Sequence, residues 1–141
     1  MDVLYHAAVG LVISKVATDT FIPHAALYAV LPDLLGTTIH MAYNVKQCTN
    51  GPFWKNLHLE MRRNTFYTKI DKVFYRSTHS LFFWLAVTLI TRTLFPDMWQ
   101  LLSISYLSHI LIDIPTHDGD FSQRILYPLT DWHITGKLWM G

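Results

Sequence analysis

The sequence predicts an all-α fold, a compact bundle of about five helices with a polar basic insertion and an irregular C-terminal tail. Three observations predict it. Apolar segments of helix length are separated by proline and by Asp, Ser and Thr residues suited to helix starts. No apolar/polar alternation of period two persists anywhere, and no internal repeat is visible. The 141 residues suffice for one domain with a real core but not for two, so residues 1–141 form a single unit.

The first helix is expected over residues 2–17, apolar on most faces and followed by Thr18-Asp19-Thr20. Pro23 suits the first turn of a second helix, which Pro32 should end near Leu31. Asp33 then reads as the N-cap of a third helix from Leu34 to about Val45. Residues 46–75 are polar and basic, with Asn50-Gly51-Pro52 as a turn signal and some helix expected between Trp54 and Arg63. A fourth helix spans residues 79–94, capped by Ser77 or Thr78 and ended by Pro96. A fifth runs from about Met98 to Ile114 and ends at Pro115, leaving residues 116–141 as an irregular tail.

Composition narrows the setting. Hydrophobic residues make up 51% and charged residues 15%, against roughly 25% charged in an ordinary soluble domain. That balance suits a very apolar core, a membrane-associated protein, or both. The longest uncharged stretches, Ser77–Thr91 and Met98–Ile112, are fifteen residues each, whereas a bilayer span takes about 20. A bundle lying on or partly in a membrane is therefore favoured over independent spans, with a soluble cytoplasmic bundle as the alternative. Cys48 is the only cysteine, which excludes an intramolecular disulfide and a cysteine-based zinc site. The start of the chain lacks signal-peptide features, so a cytoplasm-facing location is expected.

Charge is uneven. Residues 44–76 carry Lys46, Lys55, Arg62, Arg63, Lys69, Lys72 and Arg76 against Glu60 and Asp71, a net +5, while the remainder is −4. Such an insertion is suited to an anionic membrane surface, a phosphate-containing substrate or nucleic acid; a merely solvated insertion is the plain alternative.

Chemistry concentrates on the fifth helix. Ser105, His109 and Asp113 recur every fourth residue along an otherwise apolar helix, which stacks them on one face. A buried carboxylate is costly unless paired or bound to metal. His109 and Asp113 can thus chelate one ion, a His–Asp hydrogen bond being the plainer alternative. His117 is expected to reach the same place from the turn after Pro115. His6, Asp33 and His79 also lie at helix ends or on apolar helices. Four His and two Asp exceed the usual three protein ligands of a catalytic zinc, and suggest two ions sharing a carboxylate, an arrangement suited to phosphoester displacement. The donor mixture fits Zn²⁺ best, with Mn²⁺ or Fe²⁺ as alternatives. Ser80, Ser105 and Ser108 prompt a serine-hydrolase reading, but no Gly-x-Ser-x-Gly elbow exists. His24, His40, His58 and His133 read as surface or packing residues, with His40 the exception to watch.

The ordered set of His6 with Gly10, Leu31-Pro32-Asp33, Arg76-Ser77-Thr78-His79-Ser80 and Ser108-His109 with Asp113 resembles the YdjM-like family of membrane-associated metal-dependent hydrolases. That family is distantly similar to the zinc-dependent phospholipase C and single-strand nuclease superfamily. The resemblance implies metal ligation by His6, Asp33, His79, His109 and Asp113, and residues 113–130 resemble a subgroup whose Thr-His adds His117. Leu35 and Tyr75 stand where the family often has Asp and His, and the basic insertion has no family counterpart.

The expected function is hydrolysis of a phosphodiester or phospholipid headgroup by a metal-bound hydroxide. Asp33 or Asp113 would act as the base that orients the water, and Arg76 or a second ion would steady the developing charge. The alternative is a non-catalytic membrane-associated or partner-binding protein with a structural metal.

Overall fold

The computed structural model describes residues 3–48, 66 and 68–137 and is an all-α bundle. Its described helices are α1 (Val3–Thr18), α2 (Pro23–Gly36), α3 (Thr38–Cys48), α4 (Lys69–Thr78), α5 (Leu81–Leu94) and α6 (Trp99–Thr116), followed by a single 3₁₀ turn, Gly119–Phe121. Among the described residues there is no strand, only an isolated bridge between Gln123 and Ile134. Helix α2 packs against α1, α3, α4 and α6, and α6 packs against α1, α2 and α5. These two helices therefore form the axis on which the others are hung.

The close approach of α1 to α2 depends on Gly10. A Cβ there would stand 2.5 Å from the Ala25 carbonyl oxygen and 2.8 Å from Ala29 Cβ. Ala25 and Ala29 are themselves fully buried. Small residues on both helices let the backbones meet, and this lowers His6, one turn before Gly10, into the interior.

Helix α2 corrects the expected boundary. It continues through the buried Pro32 to Gly36, so Asp33 is an interior residue of α2 and caps no third helix. Pro32 removes one intrahelical hydrogen bond, but packing by α1, α4 and α6 holds the helix on course. The break comes at Thr37, whose N–H and hydroxyl both donate to the Asp33 carbonyl, at 2.9 and 2.7 Å. Similarly, α6 runs past Pro115 to Thr116, and His117 is the extended residue that ends it.

Helix α4 lies at the end of the stretch read as an insertion. Thr68 caps it by accepting the Asp71 N–H at 3.1 Å, and Asp71 in the first turn complements the helix dipole. Its buried face is polar (Asp71, Tyr75, Arg76, Thr78), while Ile70, Val73 and Phe74 are exposed. The C-terminal part of residues 44–76 thus belongs to the core. The helix expected between Trp54 and Arg63 lies outside the described residues. Helix α5 begins at Leu81, two residues later than expected, because Ser80 is the N-cap, accepting the Phe83 N–H at 3.2 Å.

The tail is irregular but tied back onto the bundle. Leu81 N–H donates to the Ile125 carbonyl at 2.9 Å, Gly136 N–H to that of His117 at 2.8 Å, and Lys137 N–H to that of Pro115 at 3.0 Å.

Gly10→Ala tests the α1–α2 contact. The added methyl meets backbone that cannot move aside, so the variant is expected to lose about 1–3 kcal/mol, read as a lower urea midpoint at unchanged slope.

Candidate metal centre

The six sequence candidates for ligation converge. Helix α1 supplies His6, α2 supplies Asp33, the end of α4 supplies His79, α6 supplies His109 and Asp113, and the residue after α6 is His117. All but His117 are buried, and His109 and Asp113 are fully so. Asp33, His79, His109 and Asp113 each offer one donor atom to a group in which all four atoms lie within 4.8 Å of one another.

The tautomers of the two central imidazoles follow from their backbone partners. His79 Nδ1 lies 2.9 Å from the Tyr75 carbonyl oxygen, and His109 Nδ1 lies 2.7 Å from that of Ala29. A carbonyl oxygen only accepts, so each Nδ1 carries the proton and each neutral ring turns its Nε2 lone pair inward. The two Nε2 atoms are 3.2 Å apart. Asp33 Oδ1 stands 3.4 Å from His79 Nε2 and 3.5 Å from His109 Nε2. Asp113 Oδ2 stands 3.7 Å from the first and 3.1 Å from the second. Four acceptors thus face one another in a buried space, an arrangement that repels itself unless a cation or a proton lies among them.

The donor set fits a divalent transition metal. Two imidazole nitrogens and two carboxylate oxygens are a common zinc shell, and bonds of about 2.0–2.1 Å to a tetrahedral ion set ligands about 3.3–3.4 Å apart. The five edges that involve an imidazole, 3.1 to 3.7 Å, bracket that value, and the two carboxylate oxygens lie within 4.8 Å of each other. Anchoring the far ring nitrogen on a backbone carbonyl is the usual way a metal-ligating His is oriented.

Asp113 has a second oxygen with its own neighbours. Its Oδ1 lies 3.1 Å from His6 Nε2 and 3.4 Å from His117 Nδ1. The His6–Asp113 approach lacks hydrogen-bond geometry, and both Asp113 oxygens and His6 Nε2 are buried with no hydrogen-bond partner among the described residues. The His6 ring stacks on His109 at 3.7 Å between centroids.

The local field matches this picture. Burial opposes ionisation of Asp33 and Asp113, yet their histidine neighbours hold both carboxyls well below the usual range. Burial would push His109 down, but the Asp113 and Asp33 carboxylates close to its Nε2 outweigh it and raise the imidazole to about 9. His117 is pushed down to about 4 by burial, against the attraction of Asp113. In the metal-free protein the His109 proton stabilises the fold fully below its unfolded value, near 6.5, and that contribution is lost as pH rises through about 9. The carboxylates contribute above their unfolded values and lose that contribution as pH falls through their depressed ones.

Several neighbours were not legible as site residues. Tyr75 stacks on His79 at 4.0 Å between centroids and supplies the carbonyl that fixes its tautomer. Its hydroxyl, raised well above its ordinary value by burial and by Asp113 and Asp33, stays protonated, lying 3.4 Å from the Phe121 carbonyl and accepting from Gln123 at 3.2 Å. The i, i+4 spacing of Tyr75 and His79 was the available signal. Leu35 is exposed, so an acid there would not join the group. His40 is buried against Asp71, Nδ1 to Oδ2 2.9 Å, a packing role apart from the four-residue group. His24 and His133 are exposed, and His58 lies outside the described residues. Arg76 is buried and paired with Asp131, Nη1 to Oδ1 2.9 Å. The hydroxyls of Ser80, Ser105 and Ser108 donate to the carbonyls of Ser77, Leu101 and Ser105, which leaves none of them hydrogen-bonded to a catalytic base.

No protein-family model, curated protein or solved structure matches the chain. Its own geometry defines its class: a helical bundle around a buried group of two Asp and two His that can hold a metal ion.

Ion binding must displace the His109 proton. Affinity for a divalent metal ion, probed with zinc, is therefore expected to rise about tenfold per pH unit below pH 9, with release of about one proton per ion. Titration calorimetry in buffers of different ionisation enthalpy measures both; a pH-independent affinity without proton release would contradict this assignment.

Proposed function

We propose that the protein is a membrane-associated metal-dependent hydrolase acting on a phosphoester, a phosphodiester or phospholipid headgroup. The observation that carries this reading is the division of Asp113, with Oδ2 among Asp33, His79 and His109 and Oδ1 beside His6 and His117. A structural ion needs one closed donor set. Five side chains around a shared carboxylate suit two divalent ions, zinc by donor type and manganese or iron as alternatives. The ordered motifs that resemble the YdjM-like hydrolases support the same class.

Bound divalent ions supply an activated water and polarise a phosphoryl oxygen. The chain's own residues do the rest. Tyr75 and Ala29 carbonyls hold His79 and His109 in the ligating tautomer. Asp33 or Asp113 would orient the attacking water and take up its proton, while Asp113, with imidazoles beside both oxygens, would hold the two donor sets in register. The buried surroundings exclude bulk water and strengthen each electrostatic contact.

A second reading, a structural metal in a non-catalytic protein, is favoured by one feature: the four-residue group alone offers the four donors of a closed structural site. Turnover separates the two. The first reading expects a phosphodiester such as bis(p-nitrophenyl) phosphate to be hydrolysed, with activity lost on chelation and regained with zinc or manganese. Asp33→Asn should lower kcat by about 10²-fold or more. A metal-loaded, folded protein that turns over neither phosphodiesters nor phospholipids would shift the assignment to the second.

The membrane part rests on an inversion of polarity. Among the described residues the interior is rich in polar side chains, such as Thr88 and Ser103 in mutual contact at 2.7 Å. Large apolar side chains face outward, Leu4 and Val16 on α1, Leu89 and Leu94 on α5, and Ile104 and Leu111 on α6. Exposed apolar area on this scale marks an interaction surface. Among the described residues no single helix is long and apolar enough to cross a membrane, though α4 and α5, bent by 60°, pass that test as a pair. Flotation with liposomes containing anionic lipid is expected to carry the protein at low salt, with the apolar contact persisting at high salt; absence of binding at both would remove the membrane assignment.

A further inference from the structure

Away from the Asp/His group lies a pair of buried arginines. Arg76 on α4 and Arg124 in the segment after the 3₁₀ turn are each about nine-tenths inaccessible, and both approach the same carboxylate oxygen. Arg76 Nη1 donates to Asp131 Oδ1 at 2.9 Å, and Arg124 Nε stands 3.6 Å from that atom. Arg124 Nη1 also donates to the carbonyls of Ser122 and Asp120, at 2.9 and 3.2 Å, which fixes its plane. The Nε atoms of both arginines are buried with no hydrogen-bond partner among the described residues.

This is an unusual place for two cations. Burial and the adjacent Arg124 pull the Arg76 guanidinium below its ordinary value, and Asp131 only partly offsets them. Asp131 is the one carboxylate that approaches both guanidiniums; Asp120, which also acts on Arg76, is paired with Lys72 at 3.9 Å, so the cluster stays net positive with donors to spare. That carboxylate is also the least fixed member: Asp131 is 77% exposed and sits on an irregular, exposed stretch. A purely structural ion pair would bury the acid with the bases. Here rigid, buried donors meet a solvent-facing acid that a better anion can displace.

Position links the pair to the metal group. Arg124 lies between Gln123, whose amide donates to the Tyr75 hydroxyl, and Ile125, whose carbonyl receives the Leu81 N–H. Tyr75 stacks on His79, and Arg76 is its neighbour on α4. The arginine pair therefore flanks the end of α4 that carries a metal-binding histidine.

We infer that Arg76 and Arg124 form a phosphate-binding subsite, with Asp131 as an intramolecular carboxylate that occupies it until a phosphate group takes its place. Planar guanidiniums recognise phosphate and carboxylate by the same paired N–H geometry, so one can stand in for the other. The inference deepens the phosphoester reading and rests on it for the substrate class. It adds Arg124 to Arg76 as a binding residue and assigns Asp131 a role in affinity.

The test uses the full chain and inorganic phosphate in titration calorimetry, with metal content checked in every variant. Asp131→Asn removes the competing charge at an exposed position, and is expected to tighten phosphate binding about tenfold or more with metal content unchanged. Arg124→Lys in that background, which keeps the charge but loses the planar fork, should abolish the gain. Vesicles of phosphatidic acid in phosphatidylcholine, run in parallel, identify the source. A gain on free phosphate marks a soluble ligand, and a gain confined to vesicles marks a headgroup. Phosphate affinity that is unchanged or weaker in Asp131→Asn on both probes, or a gain that survives Arg124→Lys, would overturn the subsite. Failure of the metal reading would show instead as absent metal in every variant.

Discussion

Two buried carboxylates with no lysine or arginine against either of them among the described residues set the terms for this fold. Asp33 and Asp113 are compensated, among the described residues, only by imidazoles. An ionised carboxylate in such surroundings is unfavourable by several kcal/mol unless paired or coordinated. The bundle answers by bringing side chains from four helices and the turn after α6 to one point. That requirement explains features that otherwise look like defects: a proline kept inside α2, a glycine where α1 crosses α2, and imidazoles stacked on one another. Each helps bring a donor atom to that point.

The same constraint accounts for the polarity of the molecule. Space at the centre is taken by His, Asp, Ser and Thr, so the apolar side chains of α1, α4, α5 and α6 have little interior left to fill and are carried outward. Helix α4 shows the trade most plainly. Its inner face holds Asp71, Tyr75 and Arg76, and its outer face Ile70, Val73 and Phe74. A polar centre and an apolar exterior are consistent with a protein whose chemistry is internal and whose outside meets lipid.

Much of this was legible in the sequence, for identifiable reasons. His109 and Asp113 fall one helical turn apart on an apolar helix, so their convergence needed only helical periodicity. His79 and His6 were recognisable as polar residues with no other evident work. Asp33 was found as a candidate but misplaced as a cap, because Pro32 signals a helix end unless packing on several sides overrides it, as it does in α2. Helix α4 reads in the sequence as part of a polar basic insertion because its buried face is the polar one, which inverts the pattern used to find core helices. The carbonyl anchor of His109 could not be read at all. Ala29 and His109 are eighty positions apart, and a backbone oxygen leaves no mark on the identity of its residue. Arg124 and Asp131 escaped for the same reason, since only the folded tail brings them to Arg76.

The central claim is that these donors exist to hold a metal. Elemental analysis of the purified chain, incubated with zinc and desalted, tests it most directly. About one or two ions per chain are expected, with loss of bound ion in His109→Ala. A folded wild-type chain that retains no transition metal after that treatment would contradict it.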